Sequence, residues 1–163
     1  MEIERKFTIR QLPENLELYP SLRIEQAYLN TDPVVRVRRQ DDEYYMTYKG
    51  SGMLAREEYN LPLNKEAYLH LRQKADGNII SKTRYLIPLK HPKFAEGGPK
   101  PPKDYSLTIE LDVFDAPFAP LILAEVEFGS KAAAETFLPP DWFLEDVTYN
   151  AAYHNSYLSM RKL

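Results

Sequence analysis

The chain has 163 residues, of which 44% are hydrophobic and 28% are charged, and its formal net charge at pH 7 is -3. This is the composition of an ordinary globular protein, and it gives no general attraction to nucleic acid or to an anionic membrane. The absence of cysteine excludes disulfide bonds, thiolate metal sites and cysteine nucleophiles.

The length predicts a single domain spanning residues 1–163. No apolar stretch approaches the roughly 20 residues that a membrane helix needs, and the N-terminus lacks the pattern of a secretion signal. We therefore expect a cytoplasmic protein with no membrane or nucleic-acid partner.

Alternation of polar and apolar residues predicts strands along most of the chain. In Met1–Phe7, Glu2, Glu4 and Lys6 share one face, while Ile3 and Phe7 share the other. Six more segments alternate in the same way, and one further segment is the expected eighth strand: Val35–Arg38, Tyr45–Lys49, Arg56–Leu61, Ile80–Tyr85, Ile109–Val113 and Ala124–Phe128, with Ile24–Leu29 as the eighth.

Three helices are predicted: from Asn64 to about Lys74, from Ser130 to Phe137, and from about Ala151 to Met160. Asn64 and Ser130 are N-cap residues for the first two. In the first helix, Ala67, Leu69 and Leu71 are expected to provide the packing face. The stretch 90–103 is rich in proline and glycine and predicts a mobile loop between two strands.

The charged residues of the strands are sorted by sign. Three strands carry acid pairs and two carry base pairs: Glu2/Glu4, Glu110/Asp112 and Glu125/Glu127, and Arg36/Arg38 and Lys82/Arg84. For one strand alone, the solvated side of a sheet is the simpler interpretation. A solvated side usually mixes signs, however, because like charges at i and i+2 repel each other. The sorting therefore indicates a functional site.

The opposite faces of the same strands are apolar and must be covered. Their residues are Ile3, Phe7, Val35, Val37, Ile109, Leu111, Val113, Val126 and Phe128. This pattern predicts an α+β fold, in which an eight-stranded antiparallel β-barrel has helices packed outside and the ionic faces pointing inward around a cavity.

A cavity lined by charges of both signs fits a ligand that combines anions with cations, because uncompensated buried charge is costly. A small-molecule polyphosphate with a divalent metal ion meets this requirement. Clustered carboxylates without cysteine, and with only three histidines, favour a hard cation, Mg²⁺ or Mn²⁺. Arginines and lysines would bind the remaining phosphate oxygens.

The same residues carry a resemblance to a known family. The series begins with Glu-x-Glu-x-Lys at Glu2, Glu4 and Lys6, and further matches follow in order: Tyr28–Leu29, Arg36–Arg38, Thr47–Gly50, Arg56–Glu58, Lys82–Tyr85, Glu110–Phe114, Glu125–Phe128 and Asp146–Thr148. Over nearly its whole length the chain resembles the CYTH family, also called the triphosphate tunnel metalloenzymes.

The resemblance implies a barrel that forms a tunnel and hydrolyses inorganic triphosphate to diphosphate and phosphate, with Mg²⁺ or Mn²⁺ as the cofactor. The implied metal ligands are Glu2, Glu4, Glu110, Asp112, Glu125 and Glu127. The implied phosphate-binding residues are Lys6, Arg36, Arg38, Lys49, Arg56, Lys82 and Arg84. The implied catalytic residues are Glu2, Glu4, Glu58 and Lys82. Asn60 stands where relatives often carry a further glutamate.

Several alternative functions are also consistent with the sequence. The chain could be a nucleoside or thiamine triphosphatase, a class IV adenylyl cyclase, or a non-catalytic module that binds polyphosphate or nucleotides. The acid pairs disfavour the last alternative, because inward carboxylates repel a phosphate ligand unless a metal ion neutralises them. The expected assembly is a monomer or a homodimer.

Overall fold

The structure is a computed structural model that describes residues 1–163. It contains twelve strands: β1 (Glu2–Ile9), β2 (Ser21–Thr31), β3 (Val34–Gln40), β4 (Glu43–Lys49), β5 (Ala55–Arg56), β6 (Glu58–Leu63), β7 (Asp76–Lys90), β8 (Lys93–Phe94), β9 (Ser106–Phe114), β10 (Ile122–Glu127), β11 (Phe137–Leu138) and β12 (Phe143–Asp146). Its helices are α1 (Lys65–Arg72), α2 (Lys131–Thr136) and α3 (Asn155–Met160), with short 3-10 turns at Leu16–Leu18 and Ala151–Tyr153. No helix combines the length and the apolarity needed to cross a membrane.

The strands form a nearly closed antiparallel barrel. Its order is β1-β10-β9-β7-β2-β3-β4-β6, and β5, which directly precedes β6, pairs back with β1. Counting β5 and β6 as one strand gives the predicted eight, and every predicted strand is present. The three additional short strands lie at the edge or outside: β12 pairs with β1, and β8 pairs with β11.

The first strand has two different partners along one edge. At its start, Glu2 pairs with Arg56 and Ile3 pairs with Ala55 of β5. Farther along, Phe7 and Ile9 pair with β12 instead. The strand β6 pairs only with β4, so the barrel is closed at this join by one short strand pairing.

The main hydrophobic core lies outside the barrel wall, as predicted. The outward residues of β1, β9 and β10 pack beneath α2 and β11, and this cluster includes Phe7, Ile109, Leu111, Val126, Phe128, Ala133, Ala134 and Phe137. A smaller cluster forms where α1 covers β2 and β3, through Ala27, Val37 and Tyr68.

The packing face of α1 differs from the prediction at one position. Leu69 is 45% exposed, whereas Tyr68 is fully buried against Ala27 and Val37. Residues two apart on a helix point in nearly opposite directions, so Leu69 cannot share a face with Ala67 and Leu71. The prediction for Leu69 was therefore wrong.

The caps and the ends of the other predicted elements are largely confirmed. Oδ1 of Asn64 accepts a hydrogen bond from the Ala67 amide at 2.7 Å, and Oγ of Ser130 accepts one from the Ala133 amide at 3.1 Å. The predicted C-terminal helix is divided at His154, whose backbone is extended. The predicted loop at 90–103 contains β8, which ties it to β11.

An apolar layer fills one end of the barrel interior. Ile80, Phe114 and Leu123 point inward there and pack against Leu158 of α3. Gly77 lets α3 approach, since its φ is +73° and a Cβ at that position would lie 2.1 Å from the Ser159 carbonyl oxygen. The charged part of the interior therefore occupies a portion of the barrel rather than its whole length.

Candidate functional site

The remaining interior is a charged cavity of about 340 Å³. Twelve of the fourteen residues predicted for the site line it: Glu2, Glu4, Lys6, Arg36, Arg38, Lys49, Arg56, Glu58, Arg84, Glu110, Glu125 and Glu127. The other two, Lys82 and Asp112, are fully buried beneath the cavity wall.

Strand register brings these side chains together. Residues that face each other across antiparallel strands point to the same side of the sheet. Glu125 of β10 therefore lies between Lys6 of β1 and Glu110 of β9, and Glu4 lies opposite Glu127. In the order of the eight strands, β3 with Arg36 and Arg38 stands four strands away from β10, on the opposite wall.

Arg84 is held by three carboxylates. Its Nε and Nη2 donate to Asp112 at 2.7 and 2.9 Å, and its Nη1 donates to Glu110 at 2.6 Å. Nη2 also donates to Glu125 at 3.3 Å. Burial alone would lower the pKa of Arg84, but the charges of Asp112 and Glu110 raise it well above its ordinary value. The Arg84 charge is therefore fully compensated within the protein.

Lys82 and Lys6 belong to the same ionic network. Nζ of Lys82 lies 2.8 Å from Oδ2 of Asp112, and Nζ of Lys6 lies 3.2 Å from Oε1 of Glu125. Burial lowers the pKa of Lys82 to about 8; Asp112 opposes this shift, and the positive charge of Arg84 adds to it. Asp112 is thus the counter-ion of both Lys82 and Arg84 and does not face the cavity.

A second group of ionic contacts surrounds Glu2 at the join between β1 and β5. Nζ of Lys49 lies 2.9 Å from Oε1 of Glu2 and 3.4 Å from Oε2 of Glu58. Nε of Arg56 lies 3.7 Å from Oε1 of Glu2. Burial and the neighbouring charge of Glu4 raise the pKa of Glu2 to about 8, although Lys49 opposes the shift.

Arg36 and Arg38 have only neutral partners. Nη1 of Arg36 donates to the Tyr28 hydroxyl at 3.3 Å, and its buried Nε has no partner. Arg38 donates to Oε1 of Gln26 and, at 3.2 Å, to the Tyr45 hydroxyl. Burial and the nearby charge of Arg36 lower the pKa of Arg38. This arginine wall, defined as Arg36 and Arg38, carries positive charge that no carboxylate neutralises through an ion pair.

Glu4 and Glu127 form the corresponding open acid pair. They face each other in register, and neither forms an ion pair. Burial and the charge of Glu4 raise the pKa of Glu127. No three histidine, aspartate or glutamate side chains converge into a closed metal site. The open pair nonetheless fits Mg²⁺, which is usually held by one or two carboxylates together with water and phosphate oxygens.

Sequence reasoning missed several polar residues at the cavity. Gln26 lies two residues before Tyr28, a residue of the family series, on the same inward face of β2, so the period of a strand counted back from Tyr28 could have identified it. Asn155 and Ser156 line the cavity from α3, and Oδ1 of Asn155 accepts a hydrogen bond from Nζ of Lys82 at 3.5 Å. No pattern in the strands could have indicated these two, because they belong to a separate helix.

Comparison with known proteins gives a consistent result. Residues 1–135 match the family model described as the CYTH domain. The chain is 39% identical over 162 residues to an inorganic triphosphatase of Nitrosomonas europaea, covering 98% of this chain and 97% of the relative. It is 32% identical to an inorganic triphosphatase of Acetivibrio thermocellus, with coverage of 96% and 92%.

Solved structures agree with these matches. The crystal structure of the inorganic triphosphatase NE1496 superposes with a TM-score of 0.66 at 34% identity, covering 99% of this chain and 96% of that one. A conserved hypothetical protein from Pyrococcus furiosus gives a TM-score of 0.53 at 17% identity, with 83% of each chain covered, which shows a shared fold.

Proposed function

The chain belongs to the CYTH domain family, and on that premise we propose that it is a divalent-metal-dependent hydrolase that converts inorganic triphosphate to diphosphate and phosphate. The observation that carries the proposal is the pair of walls that form no ion pairs, with the buried Arg36 and Arg38 on one side and the half-buried Glu4 and exposed Glu127 on the other. A ligand that carries both phosphates and a cation satisfies both walls at once.

Substrate binding is assigned first to the arginine wall. Each guanidinium presents N–H donors in a planar fork that matches phosphate oxygens, and neither has to leave a carboxylate to do so. Lys6, Lys49, Arg56 and Arg84 line the same cavity but are engaged by acids. They would contribute to binding by rearranging these ion pairs or through the field that they create.

Metal binding is assigned to Glu4 and Glu127, with Glu2 and Glu110 as further cavity-lining candidates. When bound, Mg²⁺ or Mn²⁺ would supply positive charge to the oxygens of the reacting phosphoryl group. Glu125 is engaged by Lys6 and Arg84, and Asp112 by Lys82 and Arg84. We therefore assign these two acids to positioning the basic residues.

Catalysis would consist mainly of positioning and charge stabilisation, as is general for phosphoryl transfer. Arg36 and Arg38 would stabilise negative charge on the transferring oxygens. Lys82, predicted as a catalytic residue, is fully buried against Asp112 and does not line the cavity, so it would act through its positive charge and its hydrogen bond to the cavity-lining Asn155. Glu2 and Glu58 lie at the same cavity and could orient water.

The deciding experiment measures phosphate release from inorganic triphosphate in chelator and after addition of Mg²⁺ or Mn²⁺. We expect no activity in chelator and recovery with the metal ion. A Glu4→Gln, Glu127→Gln double variant should stay folded and lose metal-dependent turnover, since amides keep the volume and lose the charge. Undiminished hydrolysis in excess chelator, or full activity of the double variant, would contradict the metal mechanism. Binding of triphosphate without any turnover would indicate a binding module instead.

A second candidate function is the hydrolysis of organic triphosphates. A neighbouring cavity of about 490 Å³ shares Val34, Arg56 and Ser156 with the charged one and is also lined by Met53 and Tyr157. It could accommodate an organic group attached to the phosphates. We expect inorganic triphosphate to have a higher kcat/KM than ATP, GTP or thiamine triphosphate at equal metal concentration. A strong preference for one base, or formation of cyclic AMP, would favour the nucleotide-specific alternatives.

A further inference from the structure

A neutral side chain, Gln26, holds the guanidinium of Arg38 at the cavity wall. Gln26 on β2 faces Arg38 on β3 in register and is fully buried. Its Oε1 accepts hydrogen bonds from Nε of Arg38, at 2.8 Å, and from Nη2 of the same residue. Two N–H groups of one guanidinium that converge on a single oxygen restrict the orientation of the guanidinium plane.

The contrast with Arg84 shows why the identity of this partner matters. Arg84 is equally buried, but three carboxylates hold it and compensate its charge. Gln26 gives Arg38 the same kind of geometric restraint without a negative charge. Burial and the neighbouring arginines disfavour the charged form of Arg38. A carboxylate at position 26 would therefore stabilise the charged guanidinium in the protein without ligand.

An unused hydrogen-bond donor supports the same interpretation. Nε2 of Gln26 is buried and has no partner. An unpartnered buried donor is unfavourable, and a glutamate would remove it while adding an ion pair to Arg38. Glutamine at position 26 is thus less favourable than glutamate for the stability of the protein without ligand, but more favourable for binding an anion.

We propose that Gln26 is a positioning residue of the triphosphatase site: it orients Arg38 toward the phosphate and leaves the positive charge of Arg38 available to the substrate. This inference rests on the function proposed above. It assigns a role to an uncharged residue that acts through Arg38.

The test is Gln26→Glu, which changes the charge of this side chain with almost no change in its shape. The expected kcat/KM for inorganic triphosphate is about 10- to 100-fold lower than in the wild type, mainly through a higher KM. The melting temperature without ligand should stay equal or rise, since Arg38 gains a counter-ion. A residue with a purely packing role would not change affinity and stability in opposite directions.

Three further variants separate the possible outcomes. Gln11→Glu makes the same chemical change at an exposed position and should match the wild type. Gln26→Met keeps the side-chain volume and removes the acceptor, and it should be less impaired than Gln26→Glu. In an Arg38→Ala background, Gln26→Glu should cause little additional loss, because both changes act through one guanidinium.

The outcomes distinguish this inference from the proposed function. If Arg38→Ala is impaired and Gln26→Glu has wild-type kinetics, the role of Gln26 is overturned while the triphosphatase proposal stands. The role of Gln26 also fails if Gln26→Glu is destabilised, or if its effect is undiminished in the Arg38→Ala background. If Arg38→Ala itself has wild-type kinetics, the proposed arginine wall fails, and this inference fails with it.

Discussion

Two regions of the same barrel contain acidic and basic side chains in opposite states of compensation. Around Arg84, the acids Asp112, Glu110 and Glu125 neutralise the bases before any ligand arrives. At the arginine wall, Arg36 and Arg38 have only hydroxyl and amide partners. The acid pair Glu4 and Glu127 is likewise left without a base.

This difference separates groups that maintain the barrel from groups that are available to a ligand. A buried ion pair contributes little net stability, but removal of one partner is strongly destabilising, because the other charge stays buried. An uncompensated charge is a cost to the empty protein that a complementary ligand removes. We call the residues around Arg84 the paired region, and the arginine wall together with Glu4 and Glu127 the open region. Mutations in the paired region should mainly change stability, and mutations in the open region should mainly change activity.

The largest effect is expected from Asp112→Ala in the paired region. It should lower the free energy of unfolding by about 3 to 5 kcal/mol, because Lys82 and Arg84 lose their shared counter-ion in a fully buried position. Chemical denaturation measures this change. Asp115→Ala is the matched control, since Asp115 pairs with Arg23 at the surface and should cost at most about 1 kcal/mol. Equal losses in the two variants would remove the distinction between the paired region and an ordinary surface pair.

The next effect is expected from Arg38→Ala in the open region. Loss of one donor to a transferring phosphoryl oxygen should cost the transition state about 2 to 4 kcal/mol. The rate on inorganic triphosphate would then fall about 30- to 1000-fold. Steady-state kinetics measure this loss, and the loss of unfolding free energy should be smaller than for Asp112→Ala. Arg23→Ala, at a half-exposed position, serves as the control. Unchanged kinetics would show that Arg38 does not contact the substrate.

The smallest effect is expected from Glu127→Gln. Without metal ion at pH 7, it should raise the free energy of unfolding by about 0.2 to 1 kcal/mol, because like charges directly opposite each other are destabilising. Burial and the charge of Glu4 raise the pKa of Glu127 above its ordinary value of 4.5. The ionised form is therefore less favourable in the folded protein than in the unfolded chain, and the wild type loses stability as the pH rises above about 4.5. The gain should therefore be present at pH 7 and absent at about pH 4.

Chemical denaturation of the wild type and of Glu127→Gln at pH 7 and at about pH 4 tests the direction of this change in stability. Glu14→Gln, at an exposed position, makes the same chemical change without a facing acid and should show no such difference. A loss of stability in Glu127→Gln at pH 7 would mean that Glu127 is compensated and does not belong to the open region.

The sequence predicted the barrel because the same alternation specifies both the strands and their faces. It could not predict which charges are compensated. Pairing of Lys6 with Glu125 depends on β1 and β10 being neighbours, and these strands are far apart in the chain. Nor does alternation reveal depth: Glu110 and Asp112 share one face of β9, yet Glu110 lines the cavity and Asp112 lies beneath it. Gln26 was missed because only charged residues were counted on the inward faces.

The short pairing between β1 and β5 has a consequence for how the barrel responds to its ligand. Lys49 reaches from β4 to Glu2 on β1 and to Glu58 on β6, so one lysine fastens the two sides of the join. A phosphate ligand that attracts Lys49 competes with this fastening, and by reciprocity an opened join would bind phosphate more strongly. The join between β1 and β5 would then open more readily when a phosphate ligand is bound. The backbone N–H of Glu4 donates to the Leu54 carbonyl oxygen across the join. Amide hydrogen exchange at Glu4 that is faster with triphosphate than without it would reveal this coupling, and equal rates would exclude it.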